Sequence, residues 1–132
     1  MGEPAITEDT IRAMVDRFYE AVRADAELGP FFDGVIGEHW PEHMQRMYAF
    51  WSSVLLTTGR YKGSPMAAHM ALPSFPQGFF ERWLGLFEAT VAGLFEPGPA
   101  EEILGKARRI AASLSLAIFY RPGPPGAVPR VA

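Results

Sequence analysis

The apolar residues of this 132-residue chain recur at three- and four-residue steps in segment after segment, and no window alternates with a period of two. A helix returns to one face about every 3.6 residues and a strand about every two, so this rhythm excludes a sheet and demands helices packed on helices. Thirteen glycines and twelve prolines are clustered between the periodic stretches and act as punctuation. The fold class that follows is all-α.

The stretches read in order. Thr7 can cap a first helix that carries Glu8 and Asp9 in its opening turn and shows Ile11, Met14, Val15, Phe18, Tyr19 and Val22 on one face. It is expected to stop near Leu28-Gly29-Pro30, with a short turn or loop from Phe31 to Gly37. Pro41 suits a first helical position, and His43, Met47, Tyr48, Trp51 and Leu55 continue as a stripe towards Thr58-Gly59. After a polar connection, Ser64-Pro65 gives a cap followed by proline, while Pro73 limits this helix to about Ala71, with Met66, His69 and Met70 on one side. Pro76 opens the most aromatic segment, containing Phe79, Phe80, Trp83 and Phe87, which ends at Glu96-Pro97-Gly98-Pro99. A last helix is expected from about Pro99 to Phe119. Residues 121–132 hold four prolines and two glycines, a composition that buries too little surface to offset its ordering entropy, so one domain over 1–120 and a disordered Pro-rich tail are expected.

Charge and composition exclude whole classes of function. A net charge of -3 with no basic run lacks the footprint that nucleic acid or an anionic membrane requires. The longest apolar runs fall far short of the about 20 residues that cross a bilayer, and the N-terminus has no basic residue ahead of an apolar stretch. A cytoplasmic protein is expected. The absence of cysteine removes disulfides, thiolate metal sites and Cys nucleophiles. No G-x-S-x-G elbow, phosphate loop or dinucleotide fingerprint is present, and Glu101-Glu102 read as helix-capping charge.

What chemistry remains rests on three histidines. His39 and His43 have the spacing of half a zinc site, but Pro41 places His39 before the helix and His43 inside it, and no third ligand lies nearby. His39 therefore reads as a surface residue. His69 sits between methionines with no acid within four positions, and its plain reading is a core histidine with one nitrogen on a backbone carbonyl. The sharper reading comes from ten Phe, three Trp and six Met, an apolar surplus that a flat ligand could fill. Haem suits such a space because its iron takes one neutral imidazole while its faces accept aromatic and Met contacts. A haem-free helical interaction domain with a large aromatic core is the alternative.

From about residue 8 to 120 the sequence resembles the truncated haemoglobins, and within them the group III branch. The landmarks are Val15-Asp16-Arg17-Phe18-Tyr19, Leu28-Gly29-Pro30-Phe31-Phe32, His43 with Phe50-Trp51, Arg60-Tyr61-Lys62-Gly63, Met66-Ala67-Ala68-His69 and Phe79-Phe80-Glu81-Arg82-Trp83. The paired-glycine motifs of the other truncated branches are missing. The resemblance implies a truncated globin fold, two helices across two others around haem b, with His69 as the proximal iron ligand and Met66 beside it. Tyr19, His43 and Trp83 match the family's polar distal positions. Phe32 would pack on the porphyrin, Met47 would lie one turn beyond His43 over the ring, and Tyr61, with Arg60, would reach a propionate. The implied function is binding of dioxygen, and of carbon monoxide and nitric oxide, at ferrous iron. Donation from Tyr19 and Trp83 would slow oxygen release, which suits redox chemistry such as nitric oxide dioxygenation or peroxidase-like turnover. Such an enzyme needs an external reductase, since the chain has no flavin or nicotinamide motif.

Overall fold

In the computed structural model, which describes residues 2–70, 72 and 75–119, six α-helices follow one another: α1 Glu8–Ala24, α2 Leu28–Ile36, α3 Trp40–Leu56, α4 Pro65–Met70, α5 Gly78–Leu94 and α6 Pro97–Phe119. Among the described residues there is no strand, only an isolated bridge between Glu3 and Phe95. The expected Pro-rich tail lies outside the described residues.

The α1–α3 pair packs on the α5–α6 pair, chiefly through α1 and α5, while α2 closes one corner and α4 rests on α6. Phe18 and Phe87 meet edge to face at 5.1 Å in the middle of that junction, both essentially sealed from solvent. Burial of each ring contributes about 2 to 3 kcal/mol, so this one contact couples the two helix pairs firmly. α1 begins as its sequence promises, with a reciprocal cap between Thr7 and Thr10. No described helix is long and apolar enough to cross a membrane.

The first corner departs from expectation. α1 ends at Ala24, before the anticipated stop at Leu28, and the segment expected as a loop from Phe31 is helix α2. Asp25 causes both outcomes: its carboxylate accepts the backbone N–H groups of Glu27 and Leu28 at 2.9 Å each and so starts a new helix directly after the old one. Pro30 sits in the first turn, where a missing N–H costs nothing. Gly29 lets α2 cross close over the end of α1, since a Cβ there would lie 2.5 Å from the Arg23 carbonyl oxygen. Gly37 then ends α2 at φ 56 and ψ -122, a conformation that side chains avoid, and a single 3-10 turn, Gly37–His39, leads into α3.

Two polar ties fix the elements around the cleft. Arg82 of α5 donates through Nε to both oxygens of Asp25, at 2.8 and 2.9 Å, which locks α5 to the α1–α2 corner. This guanidinium, followed by the backbone N–H of Leu28, holds the Asp25 carboxyl down to about 2. At the other end of α1, Glu8 accepts from the fully buried Ser52 hydroxyl at 2.8 Å and from Arg60 at 2.9 Å, tying α3 and the loop after it to the start of α1.

Candidate functional site

α1 and α3 deliver the first half of the site. Tyr19 on α1 is 7% exposed, and its ring meets Phe18, Phe32, Trp40 and His43, all edge on. The Tyr19–His43 pair is the tightest with a residue of α3, with centroids 5.0 Å apart and planes at 89°. Among the described residues the Tyr19 hydroxyl has no hydrogen-bond partner. Burial pushes it above the ordinary phenol range, so it stays protonated and available as a donor.

His43 is the most informative residue. Its Nε2 is buried with no partner among the described residues, and an orphaned buried polar atom costs about 1 to 3 kcal/mol. Burial lowers its pKa to about 4, and the charges of Arg46 and His69 add to the effect, so the ring is neutral near pH 7. His39, its partner in the notional zinc pair, is exposed and lies 3.7 Å from Glu42. The two imidazoles thus serve different surroundings. Among the described residues no group of three His, Cys, Asp or Glu side chains could hold a metal ion.

His69 supplies the second half. It is half-buried on the six-residue helix α4, and its Nδ1 lies 2.7 Å from the Pro65 carbonyl oxygen, one turn earlier. A carbonyl only accepts, so Nδ1 carries the proton, and the neutral tautomer compatible with this bond has its lone pair on Nε2. A hydrogen bond of this kind also fixes the plane of the ring, as it does behind many metal-ligating histidines.

The remaining expected residues divide. Phe32 of α2 and Met47 of α3 are half-buried against the core, and Phe32 reaches Tyr19 at 6.3 Å. Trp83 of α5 stacks on Phe87 at 5.5 Å with planes 3° apart, and touches Phe18 edge on at 5.4 Å. It is linked to Tyr19 through Phe18, with no direct ring contact. Its indole N–H has no acceptor among the described residues. Tyr61 packs on Phe50 at 5.3 Å, and its backbone N–H donates to Ser53 at 2.8 Å. Arg60 is engaged by Glu8. The Met66 backbone lies in α4, and its side chain falls outside the described part of the structure.

Trp40 escaped the reading of the sequence. It lies at the start of α3 and meets both Tyr19, at 5.8 Å, and His43, at 5.6 Å. Its position three residues before His43 on one helix face was the available signal.

The residues present fit haem. One imidazole keeps a free Nε2 on a fixed ring, a second imidazole has an orphaned Nε2, and half-buried Phe32, Met44, Met47 and Phe50 offer apolar cover.

No family model matches the chain. It is 41% identical over 109 residues to the group 3 truncated haemoglobin ctb of Campylobacter jejuni, covering 80% of this chain and 86% of that protein. The crystal structure of the group III truncated haemoglobin from Campylobacter jejuni superimposes with a TM-score of 0.87 at 36% identity, over 94% of this chain and all of that one. Fold and sequence together make this a truncated globin. Within that class the chain belongs to the group 3 truncated haemoglobins.

Proposed function

We propose that this protein binds haem b through His69 and takes dioxygen, with carbon monoxide and nitric oxide as related ligands, in the space walled by Tyr19, His43 and Trp83. The observation that carries the reading is the His69 ring itself, with Nδ1 committed to the Pro65 carbonyl and the Nε2 lone pair left over. When bound, haem supplies a ferrous iron with one position for an imidazole and one for a small gas.

The chain's own residues then divide the work. His69 holds the cofactor, and Pro65 holds His69 in the right tautomer and plane. Tyr19 keeps its proton because it is buried, and its hydroxyl is a donor towards a polar ligand. The Trp83 N–H is the second donor, and its stack on Phe87 restrains the indole. His43, neutral and with no partner at Nε2 among the described residues, can meet the ligand directly. Phe32 and Met47 would cover the cofactor's faces. Of the two propionate candidates Tyr61 would be the readier, because Arg60 would first have to leave Glu8.

Donation from Tyr19 and Trp83 slows oxygen release, and a ligand that stays is better suited to redox chemistry than to transport. Nitric oxide dioxygenation or peroxide handling with an external reductase follows from that. The test is an absorption spectrum of the purified protein, as isolated and then reduced under carbon monoxide. A coloured protein whose reduced form shifts on adding the gas is expected. A colourless protein that stays folded without cofactor overturns the proposal and restores the haem-free interaction domain.

A further inference from the structure

Trp40 stands over the Tyr19–His43 pair, and two charged residues from two other helices hold it there. Its Nε1 donates to Asp33 Oδ1 of α2 at 3.0 Å. The Arg23 guanidinium, from the last turn of α1, covers its ring at 4.4 Å. Arg23 Nε also lies 3.2 Å from that same Asp33 oxygen, so one carboxylate oxygen binds both the indole edge and the cation above the indole face. The three residues come from α1, α2 and α3, and they close across the bend at Gly37, whose backbone only glycine adopts readily.

Arg23 and Asp33 are each about half exposed, where an ion pair contributes little. Their effect is on position: Trp40, half-buried, is kept edge on to Tyr19 and His43 instead of turning outward. His43 Nε2 has no hydrogen-bond partner among the described residues, and its ring is packed between Trp40 and Tyr19.

We propose that Arg23, Asp33 and Trp40 form a latch that confines His43 within the pocket and thereby limits how fast a small ligand reaches the space beside Tyr19. Trp40 acts as a positioning residue, through His43, and Asp33 is the shared anchor. The functional part of the inference rests on the ligand-binding reading above. The confinement of His43 does not.

The experiment is carbethoxylation of the purified protein with diethyl pyrocarbonate, read by mass spectrometry at each histidine, beside carbon monoxide association after flash photolysis. Exposed His39 is the internal reference. In Asp33→Ala, labelling of His43 relative to His39 should rise about three- to tenfold, the loss of one modest hydrogen bond, and carbon monoxide association should accelerate in the same direction. Trp40→Phe keeps a ring and loses the N–H, so a smaller rise is expected. Asp33→Asn retains an acceptor oxygen and should return both readouts towards the parent. His69 labelling and the melting temperature should hardly move. An unchanged His43 to His39 ratio in Asp33→Ala and Trp40→Phe overturns the latch. So does faster labelling of all three histidines with a fall in melting temperature, which assigns these residues to maintaining the fold. A colourless protein that never binds carbon monoxide defeats the haem reading alone, since the labelling ratio still decides whether His43 is confined.

Discussion

The two histidines of the site are held by opposite means. His43 rides on seventeen-residue α3, packed between Tyr19 and Trp40, yet its Nε2 has no partner among the described residues. His69 rides on six-residue α4, too short to be stable alone, and its Nδ1 is tied to a backbone carbonyl. One side fixes the residue by packing and leaves the nitrogen unsatisfied. The other fixes the nitrogen and needs little helix to do it. The contrast separates the roles: a ligating imidazole needs a set tautomer and plane, whereas a residue that meets an exchanging ligand needs an atom with nothing else bound to it.

The largest expected effects lie on the Tyr19 side. Tyr19→Phe and Trp83→Phe should each speed oxygen dissociation by about ten- to hundredfold, the value of a hydrogen bond to a charged partner of about 1.5 to 3 kcal/mol. Carbon monoxide, less polarised, should respond less, and stopped-flow displacement of both gases measures the difference. The double variant need not equal the sum, because a remaining donor can reorient. Parental oxygen rates in both single variants would remove these donors and leave His43 or an apolar pocket.

A smaller effect sharpens how the frame supports both sides. Ser52→Ala removes a buried hydroxyl that donates to Glu8 and shares a contact with Thr58 at 2.7 Å, and should cost about 1 to 2 kcal/mol in chemical denaturation. The loop carrying Arg60 and Tyr61 should loosen with it, seen as faster hydrogen exchange at Tyr61.

The mildest effect is conditional on pH. Asp25 has a folded pKa of about 2, below its ordinary value, so its ionised form favours the folded state. That contribution is fully present above about pH 4 and fades as pH falls towards 2. Arg82→Ala removes the principal cause, so the stability gap between parent and variant should be constant near neutrality and should narrow through this window. A gap independent of pH down to 2 would show that Arg82 acts by packing alone.

Much of this was legible in the sequence, for physical reasons that differ by element. The stripes of α1, α3 and α5 are long, and their periodicity is written locally; the short helix that carries His69 was marked by the proline that starts it. Helix α2 was hidden because its glycines and proline imitate a turn, while the Asp25 carboxylate that starts it acts through backbone contacts. The Arg60–Glu8 pair was hidden because its two residues lie 52 positions apart in the sequence. Trp40 was marked only by its spacing to His43, since most of its meaning comes from Tyr19, Arg23 and Asp33 on neighbouring helices.

The division of labour between the histidines is tested most directly by haem retention in His69→Ala and His43→Ala, prepared side by side and followed by absorbance through gel filtration. His69→Ala should lose its cofactor, or keep it only with added imidazole, while His43→Ala should remain coloured with altered gas kinetics. A coloured His69→Ala with a parental reduced spectrum, beside a colourless His43→Ala, would contradict the assignment and make His43 the iron ligand.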